Sequence, residues 1–277
     1  LVTVLYLLVN WIYLRALPIA AIADSPRVAE SAAAALFGGA GSRLLAAAVL
    51  DSTFGCLAAT ILYSSRIYPP MADEPSLPVQ LARIRDMLAD LPSTVARRND
   101  RDASTARASA NADALPDYFV QDFHFQTDGY LSDRSARLYD LQVETLFYGA
   151  AGAMRRQGLR PIAAYMHGRD QRGINLLDVA CGTGRLLRAI RLAYPAMKLA
   201  GLDLSHAYLN EARRHMSGLR PVDFMAANAE SIPLPNASQD IVTTVFLFHE
   251  LPPEIRRRVA AEMARVLKPG GLLVFID

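Results

Sequence analysis

The sequence predicts an α/β protein, a doubly wound, mostly parallel sheet with helices on both faces, preceded by a hydrophobic helical region. Three observations predict it. From Gly173 onward, short apolar runs bounded by turn residues alternate with amphipathic helical segments. The first of these runs empties into LDVACGTGR, Leu177 to Arg185, a loop of small residues between a strand and a helix. Residues 1–23 and 44–63 carry one charge each, Arg15 and Asp51, so their helices have no polar face to turn to water. With 277 residues and 52% apolar side chains, the chain can bury one full core and a second, smaller unit.

Residues 1–70 form the hydrophobic helical region. Both apolar segments are long enough to span a bilayer, but a mid-segment charge costs roughly 2.5–3.5 kcal/mol on insertion, which leaves the second marginal and the first the better candidate. A membrane anchor, with localisation at a membrane, is one reading; a small helical domain whose helices bury one another is the other. A cleavage site at Ala21-Ile22-Ala23 is disfavoured, because no basic region precedes it and Arg15 interrupts the apolar run. Residues 71–114 read as a boundary. PPMADEPSLP (69–78) has four prolines and breaks regular structure. Leu81, Ile84, Leu88 and Leu91 mark one face of a short helix expected to stop near Pro92. Residues 93–114, with no large apolar side chain after Val95, read as a flexible linker.

Residues 115–277 form the main domain, an aromatic cap (115–172) on a sheet core (173–277). The cap gathers Tyr118, Phe119, Phe123, Phe125, Tyr130, Tyr139 and Phe147. Ser132 or Asp133 is placed to cap a helix whose inward face is Tyr139, Val143, Leu146 and Phe147. In the core, strands are expected at 174–180, 198–204, 222–227, 240–246 and 272–276, with helices near 185–193, 206–216 and 253–267. The expected order across the sheet is third, second, first, fourth, fifth. The chain starts without Met and stops one residue after the fifth run. It therefore reads as a fragment, with the fifth strand at a bare edge prone to pairing between molecules.

Composition narrows the partners. A net charge of +2, from 29 basic and 27 acidic residues, gives no field for nucleic acid. Cys56 and Cys181 sit in no metal-ligand spacing and read as reduced thiols.

Small residues where a strand turns into a helix let a ligand approach the backbone and meet its N–H groups, which suits a nucleotide-like molecule. A dinucleotide fingerprint would need glycines at 182, 184 and 187, and position 187 is Leu, so NAD is disfavoured. LLDVACGTGRLL instead resembles the first motif of class I S-adenosylmethionine-dependent methyltransferases, with Ala180 where the family's first glycine stands. GLDLS, AANAESIPLPNASQDIV, VTTVFLFHELP and RVLKPGGLLVF are similar to that family's later segments, in order. Within it the chain looks closest to the ubiquinone and menaquinone C-methyltransferase-like group, through Tyr139-Asp140. The resemblance implies a Rossmann-like core, S-adenosylmethionine as cofactor, and methyl transfer to a small lipophilic acceptor such as a quinone, a sterol or another lipid. It implies cofactor-binding positions at Asp178, Ala180, Cys181, Gly182, Thr183 and Gly184 in the loop. Asp203 and Leu204 would lie at the ribose, Asn228 and Ala229 at the adenine, and Tyr139 over the cofactor. Should the acceptor have to lose a proton, His249, Glu250 and His124 are the candidate catalytic residues. No metal site is expected. The alternative is a non-catalytic S-adenosylmethionine-binding or membrane-anchored interaction protein on the same fold.

Overall fold

The computed structural model describes residues 2–25, 27–67, 77–101, 104, 106 and 115–277, and divides the chain into two units, Leu1–Asp73 and Glu74–Asp277. The first unit contains α1 (Val2–Ala16), α2 (Ile19–Ala23) and α3 (Val28–Ile67), the last broken at Gly38, whose backbone is left-handed (φ 70°). At 15 residues α1 is roughly 22 Å long, short of a hydrocarbon core of about 30 Å. Among the described residues no helix is long and apolar enough to cross a membrane, so the expected spanning segment is not met there. The side chain of Cys56 lies outside those described.

In the second unit, α4 (Leu77–Asp100) runs straight through Pro92, and residues 93–100, read above as linker, are helical. Proline removes one N–H from the helix ladder. Tertiary bonds hold the helix on both sides of it: before the proline Asp90 accepts from Thr127 Oγ1 at 2.7 Å and pairs with Arg134 at 3.3 Å and Arg83 pairs with Glu211 at 2.9 Å, and beyond it Arg97 Nη2 donates to Thr127 Oγ1 at 2.5 Å. The docked face of α4 is therefore polar. Leu81, Leu88 and Leu91, expected to be buried, are more than half exposed.

The cap follows: a 3₁₀ turn (Phe123–Phe125), α5 (Asp133–Leu146), α6 (Ala151–Arg156) and α7 (Leu159–Met166). Ser132 is the N-cap of α5, its hydroxyl accepting from Ser135 N at 3.0 Å. The buried side of α5 is Ser135, Ala136, Leu138 and Asp140, whereas Leu146 points to solvent. Hydrogen bonds from Ser135 and to Asp140 make a polar inward face affordable, which periodicity alone does not register.

The core comprises β1 (Asn175–Val179), α8 (Arg185–Ala193), β2 (Lys198–Asp203), α9 (His206–His215), β3 (Asp223–Ala226), β4 (Gln239–Val245), α10 (Pro253–Val266) and β5 (Leu267–Ile276). All strand pairs are parallel, in the expected order β3-β2-β1-β4-β5. Both faces are buried, which is why these strands read as continuous apolar runs. Leu176 and Ile241 pack on one side with Leu187 and Ile190 of α8 and Ile162 of α7. Leu177, Val179 and Val242 pack on the other with Ile255, Val259 and Met263 of α10. β5 begins five residues earlier than expected: Leu267 already pairs with Gln239, and Lys268–Gly271 then bulges before Leu272 meets Ile241. β5 is an edge strand with Leu273 and Phe275 half exposed. In a sheet of this kind the ligand crevice lies beyond the carboxyl ends of the strands, where the order reverses between β1 and β4.

Candidate active site

A cavity opens at that place, the position where ligands bind on open sheets of this kind. One wall is built from the carboxyl ends of β1, β2 and β3: Ala180, Gly182, Asp203, Leu204, Asn228 and Ala229. The facing wall is the cap, with Tyr118, Phe119, Phe123, Tyr130 and Tyr139, joined by Tyr208 of α9 and Phe246 after β4. An adjoining cavity reaches Asp178, Cys181, Thr183 and Arg155 and shares Tyr139, Ala180, Gly182 and Phe246. Ten of the eleven expected cofactor residues thus border one or both cavities. Gly184 does not. It is the N-cap of α8 at φ 75°, and a Cβ there would sit 3.0 Å from Ala212 Cβ, so its smallness serves the packing of α8 on α9.

The loop is held from several sides. Gly182 N donates to Asp203 Oδ2 at 2.8 Å, Cys181 N to Leu202 O at 2.9 Å, and His215 Nδ1 lies 2.8 Å from Thr183 O. Asp140 clamps it from the cap: Thr183 Oγ1 donates to Oδ1 and Arg185 Nε to Oδ2, each at 2.8 Å. Burial opposes ionisation of Asp140, but Arg185, His215 and Arg155 outweigh it and hold the carboxyl below its ordinary range. Sequence reasoning paired Tyr139 with Asp140 and gave only the tyrosine a role; the loop clamp was visible only as that dipeptide.

Asp203 also accepts from Ser205 N at 2.8 Å through Oδ1, and the backbone N–H of Leu204 faces the same carboxylate, which still has acceptor capacity to spare. Burial raises its pKa, against the backbone N–H groups that lower it. Asp178 is buried at the end of β1, accepts from Thr243 Oγ1 at 2.6 Å, and is pushed up to about 7 by burial, with the charge of Asp203 adding to the rise. Asn228 Oδ1 accepts from Glu230 N at 2.9 Å and faces Tyr118 OH at 3.4 Å. Burial pushes the Cys181 thiol well up, which disqualifies it as a nucleophile.

The cap wall is an aromatic cluster. Tyr130 stacks on Phe123 at 4.7 Å and meets Tyr139 and Tyr208 edge-on at 6.0 and 5.4 Å, while Phe147 stacks on Phe246 at 5.6 Å. Three non-glycine residues in the left-handed region, Ala180, His124 and Phe246, surround this space. Such strain persists where surrounding structure over-determines it. The three catalytic candidates, scattered in sequence, come together at the cavity's edge. Glu250, which lines the cavity, lies 2.7 Å from His124 Nε2 and 3.4 Å from His249 Nε2, and accepts from Tyr130 OH at 3.2 Å.

An S-adenosyl group fits these residues. A Cβ built on Gly182 would meet nothing closer than Tyr208 Cδ1 at 4.0 Å, so the space above the loop is free for a ligand. Asp178 and Asp203 present buried carboxylates suited to cationic and hydroxyl partners, and a wall of aromatic rings lies opposite.

Residues 176–271 match the profile of a methyltransferase domain, and over its C-terminal half the chain is similar to ubiquinone and menaquinone C-methyltransferases. The ubiquinone/menaquinone biosynthesis C-methyltransferase of Syntrophotalea carbinolica is 34% identical over 152 residues, 53% of this chain and 59% of that protein. The demethylmenaquinone methyltransferase of Listeria welshimeri is 38% identical over 113 residues, 39% of this chain and 47% of the relative. A malonyl-[acyl-carrier protein] O-methyltransferase of Hahella chejuensis is 35% identical over 100 residues, 36% of this chain and 35% of the relative. The chain thus spans less than two thirds of the length of these relatives.

Proposed function

We propose that this protein transfers the methyl group of S-adenosylmethionine to a small lipophilic acceptor of quinone type. The observation that carries the reading is the two-walled cavity: loop, Asp203 and Asn228 on one side, and on the other an aromatic surface with a single polar cluster at its edge. Quinones stand in the names of two relatives and an acyl-carrier substrate in the third; a wall of aromatic rings gives a flat acceptor ring edge and face contacts.

The bound cofactor supplies a sulfonium methyl group to an in-line displacement in which positive charge disperses. The chain's own work is positioning and exclusion of water. Asp203 would hold the ribose hydroxyls through its carboxylate, and Asp178, ionised by a cationic neighbour, would hold the amino group. Asn228 Oδ1 accepts from the adenine amino group. Tyr130, Tyr139 and Phe246 close the site, and Glu250, turned into the cavity, receives the proton that the acceptor gives up, with His124 and His249 around it to pass it to solvent.

Calorimetry with S-adenosylmethionine and with NADH, followed by release of labelled methyl onto a panel of hydroquinones, sterols and free fatty acids, tests the reading. Binding of the first cofactor alone and labelling of a hydroquinone is the expected result. Cofactor binding with no labelled product in any arm would favour a binding protein, and NADH binding would overturn the cofactor.

A further inference from the structure

We propose that His124, His249 and Glu250 form a binding site for one divalent first-row transition-metal ion at the edge of the cavity. Their donor atoms all lie within 4.8 Å of one another. Both imidazoles place Nε2 near the same carboxylate oxygen, Glu250 Oε1, at 2.7 and 3.4 Å, so the three donor atoms form one compact cluster. An ion with bonds of roughly 2.0–2.2 Å needs donors about 3–3.5 Å apart. His124 and His249 are both exposed, free to make that small adjustment.

The surroundings complete the pattern that metal histidines require. His249 Nδ1 lies 2.7 Å from Asp277 Oδ1. A carboxylate at that nitrogen holds the proton on Nδ1 and leaves the Nε2 lone pair directed at the ion. Asp277 Oδ1 is in turn fixed by Phe248 N at 3.2 Å, and Glu250 by Tyr130 OH at 3.2 Å. His124 reaches the cluster only because its backbone sits in the left-handed region, φ 53°.

Two imidazoles and one carboxylate select zinc, cobalt or nickel over magnesium or calcium, which prefer oxygen-only shells. Three protein ligands also leave a coordination position open, and since Glu250 lines the cavity that position adjoins the acceptor space. There an acceptor hydroxyl would be oriented and acidified; this last clause rests on the methyl-transfer reading, whereas the metal site does not.

The test uses the full chain, stripped of metal, without S-adenosylmethionine or acceptor. Zn²⁺ titrated by calorimetry should bind at one equivalent, and Co²⁺ should give visible d–d bands that Zn²⁺ abolishes and Mg²⁺ leaves unchanged. His124→Ala and His249→Ala should each weaken binding at least tenfold, and Asp277→Asn roughly tenfold, the low end for a residue that orients a ligand. Should His249→Ala fail to fold, His124→Ala, with its more exposed side chain, carries the comparison. Absence of stoichiometric binding, or binding that survives loss of both histidines, overturns the proposal. S-adenosylmethionine binding measured separately on the same samples reports on the methyl-transfer reading, so either can fail alone.

Discussion

The two walls of the cavity are built in opposite ways. On the cofactor wall the polar side chains are bonded to protein: Asp203 to Gly182 and Ser205, Asn228 to Glu230, and Thr183 to Asp140 reaching over from the cap. The wall is a rigid frame of small residues whose remaining lone pairs point one way. The cap wall is held by ring contacts, and its ionisable groups gather at one edge around Glu250. Preorganised polar frames suit a ligand of fixed shape, while apolar walls with one chemical handle suit a ligand whose outline can vary. One wall should therefore govern affinity for the cofactor and the other turnover of the acceptor.

The largest expected effect tests that separation. Glu250→Gln keeps the size of the side chain and removes its capacity to take a proton. Methyl transfer should fall about a hundredfold, the low end of general-base contributions, while S-adenosylmethionine affinity by calorimetry stays within twofold. Equal loss of affinity would mean that Glu250 belongs to the cofactor wall.

Next comes Asp203→Ala. It removes two charge-assisted acceptors, each worth about 1.5–3 kcal/mol, and also releases Gly182 N and Ser205 N. Cofactor affinity should fall at least tenfold, with a drop in thermal stability too. Asp203→Asn retains one acceptor oxygen and separates the two effects: affinity should still fall while stability recovers in part. Unchanged affinity in a folded Asp203→Ala protein would remove the ribose assignment.

The contrast between the walls also explains what could be read in the sequence. The cofactor wall is local: loop, Asp203 and Asn228 follow one another within one β-α-β-α-β run, and each strand end places its residue in the crevice automatically. The strand order followed from the same alternation. The cap was less legible. The apolar stripe of α4 predicted the wrong buried face, because ion pairs and hydrogen bonds at Arg83 and Asp90 hold the helix by its polar side. The inward face of α5 was legible in part: Tyr139 lines the cavity and Phe147 stacks on Phe246, whereas Leu146 is exposed and polar Ser135 and Asp140 are buried. His124 and Glu250 lie 126 residues apart in the chain, so no spacing rule reveals that they meet, and the expectation of no metal-ligand cluster was drawn from spacing alone.

A smaller effect concerns pH. Asp178 is raised to about 7 by burial, from an unfolded value near 3.9. A carboxyl raised in the folded state favours folding below its unfolded pKa, and that contribution is lost as pH climbs through 7. Ligand-free protein should therefore lose stability between pH 4 and 8 relative to Asp178→Asn. If the ionised carboxylate meets the cofactor's amino group, S-adenosylmethionine should bind several-fold more tightly at pH 8 than at pH 6, and binding near pH 7 should release protons, seen in buffers of different ionisation enthalpy. A flat profile would place Asp178 outside the cofactor contacts.

The smallest expected effect lies at Ala180, which stands where the methyltransferase motif that this loop resembles has its first glycine. Its backbone is left-handed, φ 55°, which costs an L-residue roughly 1–2 kcal/mol relative to glycine. Glycine gives back about 0.5–1 kcal/mol by loosening the unfolded chain. Ala180→Gly should accordingly stabilise by about 0.5–1 kcal/mol, a rise in melting temperature of roughly 1–3 °C for a domain of this size. Because Ala180 borders both cavities, its methyl also occupies space beside the loop, and removing it should leave cofactor affinity within about twofold. A fall in melting temperature would show that the methyl's packing outweighs the strain. In that case alanine at 180 is part of the frame of the cofactor wall, and the difference between the two walls extends to the position where this loop carries a methyl group in place of the glycine of the motif it resembles.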